Sequence, residues 1–227
     1  MNKVTDVFFD LDHTLWDFDK NSYLAFKRVF ANHKIPLDID LFIKEYEPIN
    51  FEYWRLFRED KVTKQQLRRG RLTDAFKLFD LTYPITEIDA MAQSYIDELP
   101  GDNHLFDGAL DVLDYLSKKY NLHIITNGFH DVQHLKLKKS GIFEYFKTIT
   151  TSEEVGLKKP NPVIFKTALQ KASAKAENSF MIGDSYEADI LGAKAIGMQT
   201  VYYNYKKSKP VENQLFVDVL FEIKKII

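Results

Sequence analysis

The sequence predicts an α/β fold, a three-layer Rossmann-like core with a parallel sheet, into which an all-helical domain is inserted. Short apolar, β-branched or aromatic runs that end in polar residues recur along the chain, as expected for strands buried on both faces of a sheet. Amphipathic helical segments separate these runs in the second half, and such alternation is typical of βαβ units. No convincing strand interrupts the helical segments of residues 19–99, so this stretch is predicted to be a separate helical domain.

The predicted core contains five strands and four helices. The strands are expected at residues 4–9, 123–125, 148–150, 180–182 and 200–203. The helices are expected at residues 110–119, 132–140, 162–171 and 188–196, and Gly197 is in the position that commonly ends a helix.

The predicted insertion has its own helix signals. Thr63 is followed at the third position by Gln66, and Thr86 by Asp89, so capping boxes are expected to start a helix at each threonine. Residues 80–84 are expected to form the turn between these helices, and residues 100–103 the break where the chain returns to the core. The predicted domains are therefore residues 1–18 with 100–227, and residues 19–99.

The composition excludes several classes of protein. The chain has 31 basic and 33 acidic side chains, whereas proteins that bind nucleic acid polymers normally carry a basic surplus. Cysteine is absent, which excludes a disulfide framework, a thiolate metal site and a cysteine nucleophile. An acidic residue comes too early for a signal peptide, and no apolar run is long enough to span a bilayer. We therefore expect a cytoplasmic protein without a membrane partner.

The strongest candidate site is a pair of carboxylates, Asp10 and Asp12, directly after the first predicted strand. The carboxyl ends of parallel strands form the edge at which open sheets bind their ligands. Two carboxylates held there repel each other, so they need a cation or a shared proton. The ordinary alternative is a solvated turn, and the pair alone does not decide between the two interpretations.

Three further loops follow predicted strands. Thr126, Asn127 and Gly128 offer side-chain and backbone donors that suit an oxyanion, although such residues are also common in ordinary strand-to-helix turns. Residues 156–162 carry two lysines before a proline, a pattern that an exposed basic turn also shows. The aspartates of residues 183–189 are equally typical of a helix N-cap and its acidic first turn.

Taken together, these four loops resemble, in order and spacing, the signature motifs of the haloacid dehalogenase-like hydrolase superfamily. The resemblance covers residues 4–201, and the helical insertion is similar to the small cap domain of that superfamily. Residues 9–18 resemble the opening of a bacterial branch whose members are pyrimidine 5′-nucleotidases.

The resemblance implies a role for four aspartates of the predicted core. Asp10 would be the nucleophile that attacks phosphorus and becomes an aspartyl-phosphate. Asp12 would protonate the leaving oxygen and then activate water. Mg²⁺ would be bound by Asp10, the Asp12 backbone carbonyl and Asp184, and would neutralise the charge of the phosphate. Asp189 would orient the catalytic lysine or a water on the metal.

The remaining core residues would bind the phosphate. The resemblance implies that Thr126 and Asn127 hold its oxygens and that Lys159 stabilises the charge on the transferring group. The neighbouring Lys158 receives no role. The position after Asp12 is commonly glycine in the superfamily but is His13 here, so the backbone of this loop is less predictable.

The cap is expected to select the substrate. Trp16 could stack on a base, although packing at the hinge is the simpler interpretation. All six arginines lie between residues 28 and 71, and Arg68, Arg69 and Arg71 cluster closely enough that one could contact the leaving group. The aromatic face of Phe51, Trp54 and Phe57 is expected to belong to the core of the cap.

The sequence thus predicts a Mg²⁺-dependent phosphomonoesterase for a small phosphorylated metabolite, with a pyrimidine mononucleotide as the expected substrate. A sugar phosphate or phosphoglycolate is the alternative substrate, and a non-catalytic module that binds a phosphorylated metabolite is the alternative class. Dehalogenase activity is disfavoured, because those enzymes lack an acid at the position of Asp12. The sequence makes no prediction about the oligomeric state.

Overall fold

The structure, a computed structural model, describes residues 3–209 and 211–227. It contains all five predicted strands, each at or within two residues of its expected bounds, and a short sixth strand. In chain order the main elements are β1 (Asp6–Phe9), α1 (Phe18–His33), α2 (Ile39–Arg58), α3 (Lys64–Lys77), α4 (Ile85–Glu98), α5 (Ala109–Ser117), β2 (Asn121–Thr126), α6 (His130–Lys139), β3 (Phe146–Thr151), α7 (Ser152–Val155), α8 (Pro162–Ala172), β4 (Ser179–Gly183), α9 (Gly192–Lys194), β5 (Gln199–Tyr203) and β6 (Phe216–Val217).

The six strands form one parallel sheet in the order β3-β2-β1-β4-β5-β6. The register pairs Phe9 at the end of β1 with Ile124 of β2 and with Ile182 of β4. Because the strands are parallel, their carboxyl ends meet at one edge of the sheet. β1 lies between β2 and β4, so whatever follows these three strands lies near the middle of that edge.

Both faces of the sheet are buried. Phe8, Ile125 and Met181 belong to a cluster that α8 and α9 cover with Ile164, Phe165 and Ala193. The alternate residues Val7 and Phe9 are also fully buried, because side chains along a strand point to opposite faces. Sheet and helices therefore form the three layers that the sequence predicts.

Cα packing divides the chain into two compact units: Met1–Phe18 with Asn103–Ile227, which contains the sheet, and Asp19–Asp102, which is helical. In the helical unit, Phe26 stacks on Tyr95 and lies edge-on to Phe42 and Tyr46. Arg28 joins the two ends of this unit, because its guanidinium binds Glu98 and Asp102. Every helix within residues 3–209 and 211–227 is too short or too polar to traverse a bilayer.

One of the two capping boxes is confirmed and the other is wrong. Thr63 caps α3 and exchanges hydrogen bonds with Gln66, as the sequence predicts. However, α4 begins at Ile85, because the Pro84 carbonyl accepts the first helical amide hydrogen bonds, and Thr86 therefore lies inside the first turn.

The prediction of an aromatic face on α2 is only partly correct. Phe57 is buried, but 65% of Phe51 is exposed. The cause is the orientation of α2, which places Phe42 and Tyr46 inside the helical unit and leaves Phe51, just over one turn later, on the outer side.

Candidate active site

Three strand ends place the candidate site residues together. The backbone N–H of Asp10 donates to the carbonyl of Ile182 (2.9 Å), which extends the ladder between β1 and β4 by one residue. Thr126 is the last residue of β2, and Asp184 follows the last residue of β4. The parallel register therefore brings side chains that are more than 50 residues apart in sequence to one edge of the sheet.

Three carboxylates cluster at this edge. Asp10, Asp184 and Asp189 each offer an oxygen, and these atoms lie within 4.8 Å of one another. Burial raises the pKa of Asp10 to about 7, and the Asp189 carboxylate adds to the rise, whereas Lys159 opposes it. Burial, followed by the charges of Asp10 and Asp189, also raises the pKa of Asp184 well above its usual value. Oxygen ligands gathered in this way fit a hard divalent cation such as Mg²⁺.

Lys159 is the internal cation of the site. Its ammonium donates to Asp10 Oδ1 (2.6 Å) and to the Ile125 carbonyl (2.8 Å), and it lies 2.7 Å from Asp189 Oδ1. Burial alone would lower the pKa of Lys159, but Asp10 and Asp189 outweigh that effect and raise it. The lysine thus stays charged although only 2% of its side chain is exposed.

The loop after β4 shapes the acidic cluster. The predicted helix over residues 188–196 differs from the structure, in which Tyr186–Leu191 form a π-helical turn that precedes α9. Such wider turns are frequent at functional sites. Here Asp189 folds back so that its Oδ2 accepts the N–H of Ser185 (3.0 Å). A Cβ atom on Gly183 would lie 2.2 Å from the same Oδ2, so this close approach requires glycine.

Thr126 and Asn127 differ in what their side chains can offer a phosphate. Thr126 Oγ1 accepts from the Gly128 N–H (3.1 Å) and from Gln133 Nε2 (2.6 Å). Both of its lone pairs are then used, so its O–H is left to donate. The Asn127 amide instead pairs with the backbone N–H and carbonyl of Lys159 at 2.8 and 3.0 Å, and so ties the two loops together.

Asp12 is not one of the three clustered carboxylates and has partners of its own. Its Oδ1 accepts from Lys136 Nζ (2.6 Å) and its Oδ2 from Gln133 Nε2 (3.1 Å), both donors being on α6. Burial lowers the pKa of Lys136, and Asp12 opposes that effect. No motif in the sequence indicates a role for Lys136 or Gln133. The signal that could have found them is helical spacing, because both lie on the buried face of α6 with Val132 and Leu137.

The residues after Asp12 form a packed turn. His13 adopts a left-handed conformation (φ 62°), the region that glycine commonly provides. Its ring stacks on Tyr205, and the two side chains are hydrogen bonded (2.8 Å). Trp16 is fully buried, and the Lys136 ammonium lies 4.0 Å from its ring centre. These contacts favour packing over base stacking as the role of Trp16.

The three clustered arginines of the cap have partners on the cap helices. Arg69 makes two hydrogen bonds with Asp89, and Arg68 donates to Gln93 (2.7 Å). Arg71 is buried, donates to Asn50 (2.8 Å) and lies over the ring of Tyr95. A substitution of Arg71 would therefore disturb the helical unit itself.

Comparisons with known proteins agree with this geometry. The family model described as haloacid dehalogenase-like hydrolase matches residues 7–203. The HAD-hydrolase YfnB of Bacillus subtilis is 31% identical over 90% of this chain and 86% of its own. The crystal structure of YfnB bound to magnesium has a TM-score of 0.90 and covers 99% of each chain at 30% identity.

Two relatives with named substrates are also similar. The pyrimidine 5′-nucleotidase YjjG of Escherichia coli is 30% identical over 87% of this chain and 85% of its own. The glyceraldehyde 3-phosphate phosphatase of Pyrococcus furiosus is 32% identical over 91% of this chain and 83% of its own. Sequence, fold and the layout of the site lead to one conclusion: the chain belongs to the haloacid dehalogenase-like hydrolase family.

Proposed function

We propose that the protein is a Mg²⁺-dependent phosphomonoesterase that works through an aspartyl-phosphate on Asp10. The observation that carries the proposal is that two carboxylates only two residues apart in sequence have different partners. Asp10 lies among acids and beside the Lys159 ammonium (2.6 Å), whereas Asp12 is bound by Lys136 and Gln133. The Lys159 ammonium, together with a bound Mg²⁺, would favour the ionised form of Asp10 that a nucleophile needs.

In the first proposed step, a carboxylate oxygen of Asp10 forms a bond to phosphorus. The bond from phosphorus to the leaving oxygen breaks with its electron pair, and Asp12 gives that oxygen a proton. In the second step, Asp12 takes a proton from water, whose oxygen bonds to phosphorus while the bond to Asp10 breaks. Inorganic phosphate leaves, and both carboxyl groups return to their starting states.

The other residues bind and neutralise the phosphoryl group. Lys159 supplies a fixed positive charge, and the Thr126 O–H supplies a donor. Mg²⁺, bound by Asp10, Asp184 and the Asp12 backbone carbonyl, would supply the charge that lets a carboxylate approach a phosphate. Asp189 holds the Lys159 ammonium at 2.7 Å and so fixes its position.

For the substrate we propose a pyrimidine mononucleotide. The support is the similarity to YjjG and to the pyrimidine 5′-nucleotidase PynA of Streptococcus pneumoniae, which is 34% identical over 86% of this chain and 82% of its own. A sugar phosphate is the second candidate, because the relatives also include glyceraldehyde 3-phosphate phosphatases. In both cases the partner is a small phosphorylated metabolite.

The test is a comparison of kcat/KM over a panel of pyrimidine and purine mononucleotides, sugar phosphates and phosphoglycolate, with and without Mg²⁺. The proposal expects Mg²⁺-dependent phosphate release with the highest kcat/KM for pyrimidine mononucleotides. A preference for sugar phosphates would favour the second substrate class. No phosphate release from any compound of the panel would instead indicate a non-catalytic binding module.

A further inference from the structure

We propose that Lys136 is a positioning residue which, together with Gln133, holds the Asp12 carboxylate in the orientation that protonates the leaving group. The inference rests on the proposed function, because it concerns the proton that Asp12 donates there. Lys136 and Gln133 act through Asp12, so neither is a catalytic residue itself.

The contacts of Lys136 and Gln133 together fix the whole Asp12 carboxylate. Lys136 Nζ binds Asp12 Oδ1 at 2.6 Å, and Gln133 Nε2 binds Asp12 Oδ2 at 3.1 Å. One hydrogen bond would leave the carboxylate free to rotate about its last side-chain bond, whereas one donor on each oxygen fixes its plane. A carboxylate has about four lone-pair sites, so two acceptor sites remain for a substrate or a proton.

Lys136 is buried, which is unusual for a lysine. Lysine is almost never fully buried without a partner, because removing an ammonium group from water is costly. Here only 2% of the Lys136 side chain is exposed, against 21% of the Asp12 side chain. The rings of Trp16 and Phe18, with centres 4.0 and 5.1 Å from the ammonium, add a favourable cation–π contact. A hydrophobic residue would fill this space at lower cost, so packing alone does not explain a lysine.

Gln133 couples Asp12 to the proposed phosphate site. The same Nε2 group that donates to Asp12 also donates to Thr126 Oγ1 at 2.6 Å. A Cβ atom on residue 128 would lie 2.3 Å from this nitrogen, so the approach depends on Gly128. The amide therefore sets the distance between the proton donor and a residue proposed to bind the phosphoryl group.

The test uses the dependence on the leaving group, which a merely structural role would not alter. The substrates are p-nitrophenyl phosphate, whose leaving group needs little protonation, and an alkyl phosphate such as glycerol phosphate, whose leaving group needs a full proton. With enzyme in excess over substrate, single-turnover release of the alcohol or phenol isolates the first step. The variants are Lys136→Met, which keeps the apolar stem against Trp16, and Lys139→Met, an exposed lysine of the same helix, as the matched control.

We expect Lys136→Met to slow alcohol release from the alkyl phosphate by about 100-fold, the lower range of general acid catalysis, and phenol release by less than about tenfold. Lys139→Met should leave both rates unchanged. An equal loss on both substrates in Lys136→Met would overturn the inference while leaving the proposed function intact. Absence of turnover in the wild-type enzyme would instead remove the proposed function.

A second variant keeps the test decisive if Lys136→Met does not fold. Gln133→Met retains the ion pair of Asp12 and removes the hydrogen bonds from Nε2 to Asp12 Oδ2 and to Thr126 Oγ1. Because Thr126 is affected equally with either substrate, only the ratio of the two rates reports on Asp12. The inference expects that ratio to change in the same direction as in Lys136→Met, and an unchanged ratio would contradict it.

Discussion

Replacement of Lys159 by methionine is the perturbation whose effect follows most directly from the contacts of the site. The ammonium group lies within 2.7 Å of both Asp10 and Asp189, and these side chains are 11% and 1% exposed. Methionine fills a similar volume without a charge, so three carboxylates would face one another with no internal cation. We expect a loss in stability and a loss in rate, which Mg²⁺ should affect differently.

The magnitudes follow from the burial. Removing one partner of a buried ion pair typically costs about 3–5 kcal/mol in the free energy of unfolding, and no discount for solvent applies to side chains this buried. Removing one preorganised group that stabilises transition-state charge typically lowers kcat by about 10²–10³-fold. Mg²⁺ is proposed to bind Asp10 and Asp184, two of these three carboxylates, so it should restore part of the stability, but it should not restore kcat.

The assay combines urea unfolding, with and without Mg²⁺, and steady-state hydrolysis of p-nitrophenyl phosphate. Lys158→Met is the matched control, because it removes the same charge one residue earlier in the loop. The reasoning would be refuted if kcat of Lys159→Met fell by less than about tenfold. It would equally be refuted if Lys158→Met lost as much activity as Lys159→Met.

Three further predictions concern the metal, the loop after β4 and the cap. The pKa of Asp10 is raised from 3.8 in the unfolded chain to about 7 in the folded protein, so the metal-free protein should lose stability as pH rises between these values. Mg²⁺ should therefore raise Tm more at pH 8 than at pH 5, and an equal increase in Tm at the two pH values would contradict this. Gly183→Ala would place a Cβ atom 2.2 Å from the Asp189 carboxylate and should displace it. The free energy of unfolding, measured in urea, should fall by about 1–3 kcal/mol, and kcat should fall as well. Wild-type values for both would contradict this. Arg68→Ala, which removes the contact with Gln93, should change kcat/KM for a mononucleotide more than for p-nitrophenyl phosphate, and equal losses on the two would count against a role in specificity.

Most of the fold could be predicted because parallel strands buried on both faces consist of apolar residues, as in β1 and β4. β6 has only two residues, Phe216 and Val217, which is too short for any periodic signal. The π-helical turn before α9 was also missed. It depends on the folded-back Asp189 carboxylate, and such a contact leaves no pattern in the local sequence.

The loops that carry the candidate acids and the lysine could be located from the sequence because they follow strands, and the ends of parallel strands meet. The choice of Lys159 over Lys158 depended on the resemblance to the family. Lys136 and Gln133 could not be located in the same way, since they come from the middle of a helix and reach the site only through the packing of α6. Three lysines near the end of a helix are typical of a solvated C-terminus, and that local pattern masked the buried one.

The most direct test of the central claim is a rapid acid quench of wild-type protein and Asp10→Asn after mixing with p-nitrophenyl phosphate and Mg²⁺. Mass spectrometry of the peptides would locate a phosphoryl group, and far-UV circular dichroism would verify that the variant is folded. The account predicts a phosphoryl group on Asp10 of the wild type, with neither this adduct nor phosphate release in the variant. Turnover retained by folded Asp10→Asn would contradict it.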